Sequence, residues 1–244
     1  LPRAPNYVIL NDDRFTRGHS LSLTSTHTTP VHSRRPTPKM ATDNKTAPFT
    51  VEAAPGTDIW RKPGHNAWSI PSVHTSSGPL KSFLSVRATF SANWESLYDQ
   101  SGVLLVPRRA SDAAAPNSKW VKTGIELYDG RPHLSTVTCD RYADWGLYPL
   151  TTAADASADV KSVTIEVFRD GGVGGKNAWV HRLVLDGDGN VKERVPLRKI
   201  CWIFADEDEG DWVLDVSPLA ARPDKAAKDA LKVAFSEFKV QWSQ

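Results

Sequence analysis

Two residues with complementary acid–base chemistry, Lys122 and Glu126, lie four positions apart in a segment that alternates apolar and polar residues. Side chains on a β-strand alternate between its two faces, so Lys122 and Glu126 are predicted to point to the same side as Trp120 and Tyr128. An amine and a carboxylate can hydrogen-bond sugar hydroxyls, and aromatic rings can stack on the apolar face of a sugar. The pattern therefore predicts a surface suited to a carbohydrate-like small molecule.

Further polar and aromatic residues in neighbouring segments would border this surface if those segments are adjacent strands and loops. The predicted ligand-binding residues are Tyr98, Gln100, Trp120, Lys122, Glu126, Asp144 and Trp145. A structural interpretation stays open beside this one. Lys122 and Glu126 could belong to an ion-pair network, and the two tryptophans could simply pack beneath a covering loop. A protein-interaction module that uses its aromatic face as an interface is a further alternative.

Catalysis is a second hypothesis, with Glu126 and Lys122 as the catalytic residues. Hydrolysis of a glycoside needs two carboxyl groups, and Glu126 could pair with Asp99, Asp144 or Glu166. The Glu-x-Asp-x-x-Glu strand pattern of many glucanases is absent from the sequence. A lone Glu beside a Lys would instead favour proton transfer next to a carbonyl, which is isomerase or lyase chemistry.

Metal and cofactor motifs are not found. The seven histidines show no paired spacing, and Asp186–Asn190 lacks the Gly and Glu positions that an EF-hand loop requires. The acidic run 206–209 is typical of a solvated loop, and the glycines at 171–175 lack the Lys-Ser/Thr of a phosphate-binding loop. We therefore expect no metal and no cofactor.

Charge argues against nucleic acid and membranes as partners. The 244 residues contain 30 basic and 28 acidic side chains, which gives a net charge of +2. The longest strictly apolar run, Ile200 to Ala205, has six residues, whereas a membrane-spanning helix needs about 20. A small molecule and a protein partner in sugar metabolism are the partners we expect.

Residues 1–39 differ from the rest of the chain. They contain five prolines, six basic and two acidic residues and no apolar periodicity, so we predict a disordered or loosely attached tail. Three origins stay open: residues upstream of a natural start at Met40, a transit peptide, or an extension that docks on the domain. No secretory signal is recognised, and Cys139 and Cys201 are expected to be reduced and buried in a cytoplasmic protein.

Residues 40–244 are predicted to form a single all-β domain. Short runs rich in β-branched and aromatic residues recur between Gly, Pro, Asn and Asp, with one or two helical turns expected in Lys225–Lys232. Asp129-Gly130 predicts a tight hairpin, and an inserted loop is expected at Ala110–Ser118. The predicted strands are Asn66–Ile70, Ser82–Phe90, Gly102–Val106, Trp120–Tyr128, Pro132–Thr138, Ser162–Phe168, Ala178–Leu185, Glu193–Leu197, Ile200–Ala205 and Leu231–Val240.

Several motifs in order resemble the regulation-of-enolase-protein family, whose function is largely unknown. They are the segments Tyr98–Leu105 and Trp120–Glu126, the dipeptide Asp129-Gly130, the segment Leu134–Thr138 and the dipeptide Asp144-Trp145. The resemblance extends from about Trp60 to Trp242. It implies a concanavalin-A-like lectin/glucanase fold, a jelly-roll sandwich of two curved antiparallel sheets with an open concave face. It implies no particular reaction.

Overall fold

The computed structural model describes residues 41–150 and 162–244, so the predicted tail at 1–39 lies outside the described residues. Within them the chain alternates between strands and short turns. The strands, in chain order, are β1 (Ala41–Lys45), β2 (Phe49–Ala53), β3 (Ile59–Lys62), β4 (His65–Trp68), β5 (Ser76–Pro79), β6 (Phe83–Ala92), β7 (Gln100–Arg109), β8 (Trp120–Tyr128), β9 (Arg131–Cys139), β10 (Ala143–Pro149), β11 (Val163–Arg169), β12 (Ala178–Leu185), β13 (Val191–Ile200), β14 (Trp212–Ala221) and β15 (Leu231–Ser243).

Two antiparallel sheets form the sandwich. One has the order β1-β15-β6-β11-β12-β13, with β2 also paired to β15, and the other has the order β10-β9-β8-β7-β14-β5. Strands β3 and β4 form a separate hairpin. The predicted all-β sandwich of two antiparallel sheets is thus confirmed.

The core between the sheets is built by the alternation that the sequence predicts. In β8, Val121 and Ile125 point inward and join a cluster that includes Phe83 and Ile165 from the other sheet. The intervening side chains of β8 point away from that core, because the strand period is two. We call this second surface of the six-stranded sheet the open face; it is the face expected to be concave.

Tight turns set the register next to the open face. Strands β8 and β9 are joined by Asp129 and Gly130, whose φ angles of 50° and 68° suit the mirror-image turn that Asp-Gly favours. The predicted hairpin is confirmed, and so is the loop at Ala110–Ser118 between β7 and β8. Within the described residues no helix has the length and apolar character needed to cross a membrane.

Three predictions about local structure were wrong. Ile200 ends β13 and the residues after it form turns, so Ile200–Ala205 is not a separate strand, and Cys201 is exposed while Cys139 is buried. Lys225–Lys232 forms turns that lead into β15 rather than a helix, because the chain is already entering the sheet at Leu231. Six strands were not predicted: β5, β10 and β14 of the six-stranded sheet, β1 and β2 of the other sheet, and β3 of the separate hairpin.

Candidate functional site

The β3–β4 hairpin lies across the open face and leaves a cavity beside it. Ile59 of the hairpin is fully buried against Leu104, Trp120 and Val137 of the sheet, in a second apolar cluster separate from the main core. The remaining space is a cavity of about 300 Å³. Its lining residues are Asp58, Trp60, Lys62, Tyr98, Gln100, Lys122, Glu126, Trp145 and Pro223.

A pair of facing glycines lies in the strand positions between Lys122 and Glu126. Gly102 of β7 lies opposite Gly124 of β8, between the pairs Gln100–Glu126 and Leu104–Lys122. A Cβ atom on Gly124 would lie 1.9 Å from the Ser101 carbonyl oxygen, and one on Gly102 would lie 2.0 Å from that of Thr123. The two backbones can pass this closely only without side chains, and their absence opens space between Lys122 and Glu126.

The Lys122 amine is surrounded by oxygen atoms and aromatic rings. It donates hydrogen bonds to Gln100 Oε1 at 2.7 Å and to the Ile59 carbonyl oxygen at 2.8 Å, and it lies 3.7 Å from Asp58 Oδ1. The rings of Trp60 and Trp120 lie 5.5 and 5.8 Å from Nζ. Burial lowers the pKa of Lys122, while the carboxylates of Asp58 and Glu126 oppose this shift. The amine both faces the cavity and fastens the hairpin to the sheet.

The Glu126 carboxyl group has a different environment. Its Oε2 atom accepts hydrogen bonds from Ser135 Oγ at 2.8 Å and from Trp145 Nε1 at 2.9 Å. No hydrogen bond from the described residues reaches Oε1, although the side chain lines the cavity and only 6% of the residue is exposed. Burial raises the pKa of Glu126, opposed by Lys122 and by the two donors. Oε1 is thus the oxygen left to accept a hydrogen bond from a ligand.

Aromatic rings enclose the Lys122–Glu126 pair. Trp145 makes an edge contact with Trp60, with ring centroids 6.3 Å apart, and another with Tyr98 at 6.2 Å. Tyr98 also stacks on Tyr128 at 6.0 Å, outside the cavity. The three cavity rings thus form one continuous wall.

Tyr98 is held at the rim by buried polar contacts. Its φ angle of 66° is uncommon for a residue with a side chain. Its backbone N–H donates to the Leu127 carbonyl oxygen at 2.8 Å, and Asp99, the next residue, forms a buried ion pair with Arg222 at 2.7 Å. The Tyr98 carbonyl oxygen accepts a hydrogen bond from Gln100 Nε2 at 3.2 Å, which orients the amide that contacts Lys122.

The structure brings five of the seven predicted binding residues into the cavity, namely Tyr98, Gln100, Lys122, Glu126 and Trp145. Trp120 is fully buried beneath the hairpin and does not line the cavity. Asp144 points away from it and pairs with Arg198, because Asp144 and Trp145 are neighbours on one strand and face opposite sides.

The carboxylates considered as partners of Glu126 are all engaged elsewhere. Asp99 pairs with Arg222, Asp144 with Arg198, and Glu166 with Arg194. The second carboxylate of the cavity is Asp58, which sequence reasoning missed together with Trp60, Lys62 and Pro223. Nothing in the local pattern marks them, because they come from the hairpin and from the segment after β14. Within the described residues, no cluster of three or more His, Cys, Asp or Glu side chains could hold a metal ion.

Comparison with known proteins agrees with the resemblance seen in the sequence. Residues 36–242 match the family described as "Protein of unknown function (DUF1349)". The chain is 37% identical to the uncharacterized protein AN7484 of Emericella nidulans over 80% of this chain and 86% of that protein. It is 28% identical to Regulation of enolase protein 1 of Saccharomyces cerevisiae over 78% of this chain and 79% of that protein.

A solved structure supports the fold. A functionally unknown protein from Saccharomyces cerevisiae superposes with a TM-score of 0.59 at 22% identity, and the match covers 85% of this chain and 94% of that one. At this identity the likeness concerns the fold alone.

Proposed function

Because this chain belongs to the DUF1349 family, whose name assigns no activity, we propose a function from the geometry of its own cavity. The protein binds a carbohydrate or a sugar-derived metabolite on the open face. The observation that carries this proposal is a buried amine and a buried carboxyl group within one aromatic enclosure of about 300 Å³. That volume is at the small end of the range for ligand cavities.

The chemistry of the lining suits a polyhydroxylated molecule. Glu126 Oε1 can accept a hydrogen bond from a hydroxyl, and the Lys122 amine and the Gln100 amide supply donors close by. The rings of Trp60, Tyr98 and Trp145 offer apolar surface on which the C–H face of a sugar can stack. An apolar ligand would leave Glu126 Oε1 without a hydrogen-bond partner, which costs about 1–3 kcal/mol.

The proposal extends to a regulatory role in the cytoplasm. One relative is named for regulation of enolase, and we infer that the ligand-bound protein acts on an enzyme of sugar metabolism. A reducing compartment would keep Cys139 and Cys201 unpaired, as they are in the structure. Purified enolase is the first partner to test, with and without a bound sugar.

A thermal-shift screen tests ligand binding. Monosaccharides and their phosphates are added to the wild type, to Glu126→Gln and Lys122→Met, and to Glu193→Gln as a control on an exposed carboxylate. A ligand at 100 times its Kd stabilises by about 2.7 kcal/mol, which shifts Tm by about 5–11 °C for a protein of this size. Glu126→Gln and Lys122→Met should lose most of this shift, and Glu193→Gln should keep it.

The outcome that contradicts the proposal is equally plain. If every compound leaves the melting temperatures of the wild type and of correctly folded variants unchanged, the cavity is not a carbohydrate site. Circular dichroism is needed for Lys122→Met in particular, since Lys122 also fastens the β3–β4 hairpin through the Ile59 carbonyl oxygen.

Proton transfer is a second candidate function, favoured by the opposite pKa shifts in the cavity. Burial raises the pKa of Glu126 and lowers that of Lys122, which brings both groups towards the range in which they can exchange protons near neutral pH. Incubation of a bound sugar in D₂O tests this idea by NMR. Deuterium that enters a C–H position next to the carbonyl, and fails to enter with Glu126→Gln, would show catalysis; unchanged C–H signals would leave a binding protein.

A further inference from the structure

We propose that the cavity recognises one sugar ring and that further units of an oligosaccharide chain make no additional contact with it. This inference rests on the proposed carbohydrate ligand and defines its size class. It follows from the walls of the cavity, which are closed on the sides along which a chain would have to pass.

The first wall is the β3–β4 hairpin, which is fixed to the sheet at two points. Lys122 donates to the Ile59 carbonyl oxygen at 2.8 Å. Arg61 is buried and donates to four backbone carbonyl oxygens, those of Pro116 at 3.0 Å, Ser118 at 3.1 Å, Asp140 at 2.9 Å and Arg141 at 2.7 Å. A charged donor that satisfies four carbonyls holds a segment in one position. The hairpin is therefore a fixed boundary rather than a movable lid.

The hairpin also divides the open face into two separate spaces. On its other side lies a smaller cavity of about 150 Å³, bordered by Trp68 and Ile70 from the chain around β4 and by Leu104 and Val106 from β7. The fully buried Ile59 and Trp120 fill the space beneath the hairpin. A sugar chain in the larger cavity could not continue along the strands into the smaller one.

Trp145 closes the end of the cavity that faces β10. Its indole Nε1 donates to Glu126 Oε2 at 2.9 Å and lies 3.2 Å from Ser135 Oγ, so the ring is fixed as well as packed. Its edge contacts with Trp60 and Tyr98 connect the hairpin to Tyr98 through the Trp145 ring. A chain that crossed the strands would have to pass through the Trp145 ring.

Tyr98 forms a further part of the cavity wall, and its position is also fixed. The buried Asp99–Arg222 pair anchors the adjacent residue, and the Tyr98 backbone N–H is bound to the Leu127 carbonyl oxygen. Pro223, the residue after Arg222, lines the cavity as well. Hairpin, Trp145 and Tyr98 together bound a volume that suits a single ring.

Chain-length dependence of affinity tests this inference. Isothermal titration calorimetry compares glucose, galactose, mannose and xylose with their β-linked tri- and pentasaccharides. We expect the Kd of the best monosaccharide and of its pentasaccharide to differ by less than threefold, or the pentasaccharide to bind more weakly. A pentasaccharide that binds threefold tighter or more would overturn the single-ring inference and leave the proposed function intact. No binding by any of these sugars, nor by the sugar phosphates of the thermal-shift screen, would overturn both.

Opening the wall gives a second readout. Trp145→Ala should create chain-length dependence, with the pentasaccharide binding at least threefold tighter than the monosaccharide. Trp145→Ala also removes the hydrogen bond from Trp145 to Glu126. If that loss abolishes binding, Trp60→Ala opens the same wall and takes the place of Trp145→Ala in the comparison. Trp179→Ala, on β12 of the other sheet, is the matched control and should behave as the wild type. If neither opening variant gains chain-length dependence, the rings are not the limiting walls and the inference is wrong.

Discussion

The buried ion pair between Asp99 and Arg222 should be a major contribution to stability at the cavity rim. The Asp99 carboxylate accepts hydrogen bonds from Arg222 Nε at 2.8 Å and Nη2 at 2.7 Å, and from the backbone N–H groups of Glu95 at 3.1 Å and Ser96 at 3.0 Å. The residue is fully buried. Asp99→Ala removes all four bonds and leaves a buried guanidinium without its counter-ion, which costs about 3–5 kcal/mol.

This loss is large compared with the free energy of unfolding of most domains, about 5–15 kcal/mol. For a protein of this size it corresponds to a fall in Tm of about 6–20 °C. Urea unfolding followed by tryptophan fluorescence measures it directly. Asp144→Ala is the matched control, because the Asp144 carboxylate is exposed in its pair with Arg198 and such pairs contribute about 0–1 kcal/mol.

A double variant separates the ion pair from general damage to the site. Arg222→Met combined with Asp99→Ala removes the unpaired charge, so it should be more stable than Asp99→Ala alone by at least about 1 kcal/mol. Two results would refute the reasoning: a loss for Asp99→Ala no larger than that for Asp144→Ala, or a double variant whose loss is the sum of the two single losses.

Three further outcomes are expected. Gly124→Ala should destabilise strongly in urea unfolding, because its Cβ would lie 1.9 Å from the Ser101 carbonyl oxygen; equal stability would contradict this geometry. Since burial raises the pKa of Glu126, the folded state binds more protons between the unfolded pKa of about 4.3 and the folded one, so stability falls as pH rises through that window. In urea unfolding from pH 4 to 8, the free energy of unfolding should fall less steeply with pH for Glu126→Gln than for the wild type. Parallel curves for the two proteins would contradict this. Asp144→Asn should keep every ligand-induced thermal shift of the wild type, and a lost shift would place Asp144 in the site.

The central strands show what local sequence can and cannot predict. Alternation in β8 placed Lys122 and Glu126 on one face, and Asp129-Gly130 fixed the turn, because both signals are contained within a few residues. Strand β14 was missed because it contains Pro218, which argues against a strand inside a sheet. The structure accommodates this proline because β5 pairs with β14 only as far as Val216, so Pro218 has a single strand neighbour, β7.

The cavity depends on contacts that no local pattern contains. Asp58 and Trp60 meet Lys122 only because the hairpin folds back over the sheet, across more than 60 positions of sequence. The period of a strand describes which face a side chain occupies, but it does not describe what covers that face. The position of Asp144 outside the cavity has a local reason: Trp145 lines the cavity, and strand alternation directs the adjacent Asp144 side chain to the opposite face.

The most direct test of the carbohydrate site is the tryptophan indole N–H spectrum during a titration with the monosaccharides and sugar phosphates. Trp60 and Trp145 line the cavity, whereas Trp242 lies in the core between the sheets with its indole N–H bound to Ser76. We predict that a bound sugar shifts the Trp60 and Trp145 resonances and leaves Trp242 in place. Unchanged Trp60 and Trp145 resonances across the whole panel, or shifts confined to other tryptophans, would contradict a carbohydrate site in this cavity.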